Sequence, residues 1–232
     1  MNNMGGLNWL QVAVISLFVI FIVRGYNRGF LRMAVSLTGL ILVVYVATKL
    51  VPGTTEILIN SDYVFNSVNG RINEVFHDIN SKYNDSTKQE QDRAISEYDL
   101  PELVIADLIM NNTKEVYENM KVSIFEDYIA KSLTVFIIKC AVFVSLYAAL
   151  ALIMWVILQF TGIISRIPVI HGLNKYLGLA SGGVLALLIV WIFFFILVML
   201  LGNELADSLL ADINSDRFLS FLYNNDILFR IF

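Results

Sequence analysis

The chain has 232 residues, of which 57% are hydrophobic and only 16% charged, and its mean hydropathy is +0.70. A water-soluble globular chain is about 45–50% apolar and about 25% charged, so the excess apolar surface needs something other than an ordinary core, which excludes a plain soluble enzyme domain. The 16 Lys and Arg residues against 20 Asp and Glu give a net charge of −4 and no global attraction for nucleic acid.

One cysteine, Cys140, cannot form an intrachain disulfide, and the two histidines fall in no CxxC or HExxH spacing, so no metal, cofactor or redox chemistry is expected.

The hydrophobicity lies in four blocks. Residues 7–23 carry no charge and are just long enough to cross a bilayer. The first charge, Arg24, follows the apolar run, and Arg24-Gly25-Tyr26 is no cleavage site, so the block reads as an uncleaved span and not a signal peptide. The second span covers 33–49 and ends at the helix-stop signals Lys49, Pro52 and Gly53, which leaves it short for a bilayer. The third block, Ser132 to Ile164, is interrupted only by Lys139 and centres on a span at about 136–160 that projects beyond the roughly 30 Å hydrocarbon core. The fourth span, 176–201, is continuous and carries Trp191, Phe193, Phe194 and Phe195 in its second half. The expected fold is all-α: an integral membrane protein with transmembrane hairpins at 1–50 and 132–202.

Between the hairpins, residues 51–131 form an insert holding 15 of the 20 carboxylates. Val64, Val68, Ile72, Val75, Phe76, Ile79 and Tyr83 recur at three- and four-residue steps, which predicts an amphipathic helix, and Asn84–Gln91 interrupts the pattern. Asp99-Leu100-Pro101-Glu102 predicts a second helix start, with Ile105 and Ile109 on one face. Asn112 with Glu115 predicts a third, continued by Val116, Met120 and Ile124. The insert is therefore an amphipathic helical region whose stripes pack on each other, on the bilayer surface or on a second copy. Residues 203–232 form an amphipathic tail, with Ser215 as a cap, that lies in the interface plane or packs back on the insert.

Charge sets the expected orientation. The linker after span one holds Arg24, Arg28 and Arg32, and the linker before span four holds Arg166 and Lys175, none with an acidic neighbour. Cytoplasmic loops collect Lys and Arg, so both linkers belong inside, and both termini and the insert outside. Arg24, Gly25, Tyr26, Arg28, Gly29 and Arg32, with Arg166, Asn174 and Lys175, form a loop anchor that can contact anionic lipid.

Lys139, the one charge within a span, snorkels to the outer interface, and Gln159 is interfacial. Gly178 and Gly182, with Gly183 beside them and Gly39 on span two, allow close helix approach, either within the chain or in a dimer seam. His77 and His171 fall on opposite sides of the membrane and share no metal or proton relay. No G-x-S-x-G elbow or acid–base constellation marks an enzyme.

Two places in this sequence resemble the colicin V production protein (CvpA) family of small bacterial inner-membrane proteins. The first is the tryptophan-led opening span closing in Arg24-Gly25-Tyr26-Asn27-Arg28-Gly29-Phe30, followed by Ser36-Leu37-Thr38-Gly39-Leu40. The second is Ile167-Pro168-Val169-Ile170-His171-Gly172-Leu173-Asn174-Lys175-Tyr176-Leu177-Gly178, similar to the family's approach to its last span, with Lys175 in place of the usual arginine. The resemblance covers about half the chain and leaves the insert unmatched. It implies a protein of the bacterial inner membrane that supports bacteriocin production or cell-envelope maintenance, and the want of a catalytic constellation makes that role non-enzymatic. Its partners would be the lipid bilayer, a second copy or other envelope membrane proteins, with no nucleic acid and no small-molecule substrate. The competing reading is a small oligomeric transporter or channel subunit.

Overall fold

The computed structural model describes residues 8–161 and 173–231. Among the described residues the regular structure is helical only: α1 (Trp9–Arg28), α2 (Phe30–Ile59), α3 (Asp62–Asn80), α4 (Lys88–Ser96), α5 (Glu102–Asn111), α6 (Lys114–Met120), α7 (Phe125–Thr161), α8 (Leu173–Met199), α9 (Glu204–Ser215) and α10 (Arg217–Asn224), with 3₁₀ turns at Ser81–Tyr83 and Ile227–Ile231. Four of these, α1, α2, α7 and α8, are long and apolar enough to cross a membrane, which makes the chain a multi-pass membrane protein.

The helices are longer than the apolar runs that announce them. α1 continues through Arg24 to Arg28, and α2 passes through Pro52 and Gly53 to Ile59. The expected stop after Lys49 fails because a proline removes one i→i−4 bond and strains one turn, which a 30-residue helix absorbs. The stretch 24–32, expected as a linker, shrinks to Gly29 alone.

The chain divides into two compact units, residues 1–51 with 143–194 and residues 52–142 with 195–232. The first contains six Lys and Arg and no carboxylate; the second contains all 20 carboxylates and ten Lys and Arg. They are called the basic and the acidic unit below.

The basic unit buries Val14, Met33, Val43, Ala47, Ala186, Val190 and Phe194, and exposes Val19, Ile20, Ile41, Leu42, Leu152 and Ile153. A contiguous apolar exterior of this kind is stable against acyl chains and not against water. Trp9, Trp155 and Tyr176 also face outward.

In the acidic unit α3 forms as the three-and-four spacing predicts, with Ile72 and Phe76 buried, but Ile79 faces out and Asn80 takes its place inside. Asn80 earns that position by accepting a 2.5 Å hydrogen bond from the Tyr98 hydroxyl, while Phe76 packs edge-on against the Tyr98 ring at 5.1 Å.

Helix α4 begins within the interval expected to interrupt the pattern, Asn84–Gln91, and runs past its end, started by a capping box in which Thr87 and Glu90 bond reciprocally. On α5 the buried positions are Val104 and Leu108, one residue before the expected Ile105 and Ile109. Thr113, and not Asn112, caps α6. Asn112 is instead buried, donating to Gln91 and Asp92 and accepting from the Tyr117 hydroxyl. In the tail, Asp216 caps α10 through Phe218 and Leu219, whereas Ser215 ends α9.

The tail belongs to the same unit as the insert. Asn214 donates to Asp99, Asn224 bonds both the backbone and the side chain of Glu102, and Phe229 stacks on Phe195 at 4.5 Å and meets Tyr223 edge-on at 5.9 Å.

Candidate functional site

The two sequence stretches singled out above, 24–30 and 174–183, meet in the basic unit. Gly25 on α1 and Gly178 and Gly182 on α8 are all buried. A Cβ at Gly25 would land on the Gly178 carbonyl oxygen, one at Gly178 on the Gly25 carbonyl oxygen, and one at Gly182 on the Phe21 carbonyl oxygen.

The obstruction is backbone in every case, so no side-chain rotation relieves it. The helices approach at main-chain distance, as small-xxx-small crossings in membranes do, and carbonyl oxygens lie where Cα–H groups can reach them. Gly178 and Gly182 are thereby occupied within one chain. Gly183 is different: its Cβ would meet only the Ile22 side chain at 3.8 Å, an ordinary contact, so this glycine is not required for the crossing. A Cβ at Gly39 would lie 3.3 Å from the Met154 side chain, so this glycine lets α2 come close to α7.

Beside the crossing, Gly29 adopts φ +77°, the left-handed conformation that lets α1 end and α2 begin without a loop. The first turn of α2 then has N–H groups without helical partners. Asn174 supplies one acceptor from a distant part of the chain: its side-chain oxygen takes the Leu31 N–H at 3.0 Å, and its amide nitrogen sits against Gly29. Lys175 places its ammonium 5.4 Å from the centre of the Tyr26 ring, a cation–π contact.

Arg24 and Arg28 are exposed one turn apart on α1 and line a shallow recess with Val19, Ile20, Val23 and Asn27. Apolar walls below two guanidinium groups suit the neck and headgroup of an anionic lipid. Arg32 is half-buried. Arg166 and His171 lie outside the described residues.

In the acidic unit the polar side chains tie helices together. His77 meets Glu126 at 2.5 Å, and Asn84 bonds both the side chain and the N–H of Glu126, which pins α3 and the following turn to the start of α7. The Glu126 carboxylate raises the His77 pKa, by hydrogen bond first and charge second. His77 thus serves as a tie between helices.

Asp226 is fully buried; one carboxyl oxygen accepts the Leu228 N–H at 2.9 Å and the other has no hydrogen-bond partner among the described residues. Burial pushes its pKa up to about 8, against the smaller opposing pull of the Leu228 N–H. Burial also raises the Tyr117 hydroxyl to about 12. Lys139 is half-buried at the edge of a cavity and Cys140 is fully buried.

The sequence marks Asn174 as part of a loop anchor but not its distant partner Leu31, and it gives no sign that Asp226 is buried, since both depend on packing. The Thr87–Glu90 box, by contrast, stands in the sequence as Thr-Lys-Gln-Glu. No family model, no curated protein and no solved structure matches the chain.

Proposed function

We propose that the chain is a non-enzymatic accessory protein of a bacterial inner membrane, of the colicin V production type, supporting bacteriocin production or cell-envelope maintenance. The basic unit anchors it in lipid through four spans, with Arg24, Arg28 and Lys175 at the cytoplasmic surface. The acidic unit, with the insert, the C-terminal tail and every carboxylate, faces outward and serves as the recognition surface for a cationic or polar envelope partner.

The observation that carries this reading is the division of charge: one unit without a single acid, the other with all 20 and a folded interior in which tail and insert are cross-linked by polar side chains. A segment that only connected two spans would need neither the interior nor the ties. Surface carboxylates on a rigid body offer a fixed pattern for electrostatic recognition.

The test neutralises exposed carboxylates that take no part in the ties: Glu56, Glu74, Asp78, Glu115 and Glu118, each to its amide. The variant should insert normally and fail to restore envelope integrity or bacteriocin release in a deletion strain. Full restoration would remove the acidic surface from the mechanism.

A further inference from the structure

Three arginines gather where α1 passes into α2. Arg24 and Arg28 follow one turn apart at the end of α1, and Arg32 lies in the first turn of α2, with only Gly29 between the helices. Arg28 is close enough to Arg24 and to Arg32 for both like charges to act on it. The basic unit holds no Asp or Glu to offset them, and none of the three forms an ion pair among the described residues. The Nε of Arg32 is buried and has no hydrogen-bond partner there. Clustered like charges and a buried N–H without an acceptor both cost free energy that an anion would offset.

The side chains below the cluster decide where that anion comes from. Ile20, Arg24 and Arg28 follow at steps of four along α1, and Val19, Val23 and Asn27 do the same in the neighbouring row, so one face of the helix changes from aliphatic to polar along its length. Val19, Ile20 and Val23 are 54%, 62% and 52% exposed and wall the recess that the two guanidinium groups border. A soluble anion gains nothing from that wall, whereas an acyl chain does.

Charge sets the number of phosphates. One phosphodiester carries a single negative charge and leaves two of the three guanidinium groups unmatched. Two phosphodiesters in one molecule offset two, and the second is tethered beside the cluster once the first is bound. We infer that this face of α1, together with Arg32, binds a phospholipid carrying two phosphodiester groups, one held by Arg24 and Arg28 and the other by Arg28 and Arg32, with its acyl chains along Val19, Ile20 and Val23. A zwitterionic headgroup brings a cation of its own to the cluster and is disfavoured. Basic sites at the membrane surface of spanning helices take doubly anionic lipid of this kind. The inference rests on the reading of the basic unit as a lipid anchor and sharpens it from general contact to a choice of headgroup.

The experiment uses the full chain in dodecylmaltoside micelles and counts bound lipid by native mass spectrometry, with tetraoleoyl cardiolipin and dioleoyl phosphatidylglycerol added at equal phosphate. Cardiolipin should bind at least about tenfold more tightly. Arg24→Gln with Arg28→Gln should bring its affinity down to that of phosphatidylglycerol. Lys49→Gln, which removes an exposed cation about 25 Å further along α2 at about 1.5 Å per residue, should leave it unchanged. Deacylated cardiolipin, which keeps both phosphates and no chains, should bind at least about tenfold more weakly than the intact lipid.

Equal affinity for the two lipids in the unaltered protein would overturn the inference and leave the lipid anchor standing, whereas binding of neither would overturn both. Deacylated cardiolipin binding as tightly as the intact lipid would assign the cluster to a soluble phosphodiester, and an equal loss in Lys49→Gln would reduce the preference to unspecific charge attraction; either result overturns the inference. The comparison of lipids needs no variant, so a poorly folding substitution cannot rescue it.

Discussion

The basic and the acidic unit are both helical, yet they are held together by different forces. In the basic unit the decisive contacts are between backbones: Gly25, Gly178 and Gly182 bring α1 and α8 together where any side chain would meet a carbonyl. In the acidic unit they are between side chains: Asn80 with Tyr98, Asn112 with Gln91 and Asp92, His77 with Glu126, and Asn224 with Glu102.

The difference follows from the solvent. Between acyl chains apolar burial gives helices no reason to associate, so close packing must do it. A small helical region in water has a marginal apolar core, and satisfied polar ties fix which helix meets which.

The largest expected effect tests the acidic unit. Asp226 has a folded pKa of about 8 against an ordinary value of 3.8, so between those values the folded chain holds a proton that the unfolded chain has lost. Stability therefore falls as pH rises through that window, by at most about 1.4 kcal/mol per pH unit, and levels off above it. Asp226→Asn keeps the acceptor for Leu228 and removes the titration. Its melting temperature should exceed that of the unaltered protein at pH 8.5 and converge with it near pH 4; parallel curves would mean that the carboxyl is solvated.

The next effect tests the basic unit. Gly182→Val should destabilise by about 3 kcal/mol, because its side chain meets the Phe21 carbonyl, whereas Gly183→Ala should be neutral or stabilising by about 0.5–1 kcal/mol through helix propensity. Thermal unfolding in a mild detergent, read by circular dichroism, distinguishes them; equal losses would deny the crossing its specificity.

Asn174→Ala should cost about 1 kcal/mol as a lost helix cap, seen as faster amide exchange at Leu31. The smallest effect is at His77, which is exposed. Its raised pKa means that the Glu126 tie contributes fully below about pH 6.5 and is lost as pH rises through the higher folded value. His77→Gln should flatten that dependence, and an unshifted imidazole titration followed by NMR would argue that the tie does not form in solution.

The four spans were legible because a bilayer demands about 20 apolar residues and the chain supplies such runs four times. Their ends were not: hydropathy stops at the first charge, while the helix stops where its hydrogen bonds stop, so α1 carries Arg24 and Arg28 within it and α2 carries Pro52. The glycines were recognisable as close-approach residues, but their spacing gave no partner and could not separate Gly182 from Gly183, since that depends on which neighbour is backbone. The expected α3 stripe was correct except at Ile79, where a buried hydrogen bond from Tyr98 outweighed an apolar residue and drew Asn80 inside. Long-range polar pairs leave no periodic trace, which is why the partners of Asn174 and Asn112, and the burial of Asp226, emerged only in three dimensions.

The central claim is that insert and tail form one body on the outer side of the membrane while the arginine-rich junction lies inside. Membrane-impermeant maleimide applied to intact cells tests it through the single substitutions Asn66→Cys, Ser208→Cys and Asn27→Cys, all at exposed positions, with the buried Cys140 replaced by alanine. The account predicts labelling at positions 66 and 208 without permeabilisation and at position 27 only after it. Labelling of position 27 alone in intact cells, or of only one of positions 66 and 208, would contradict it.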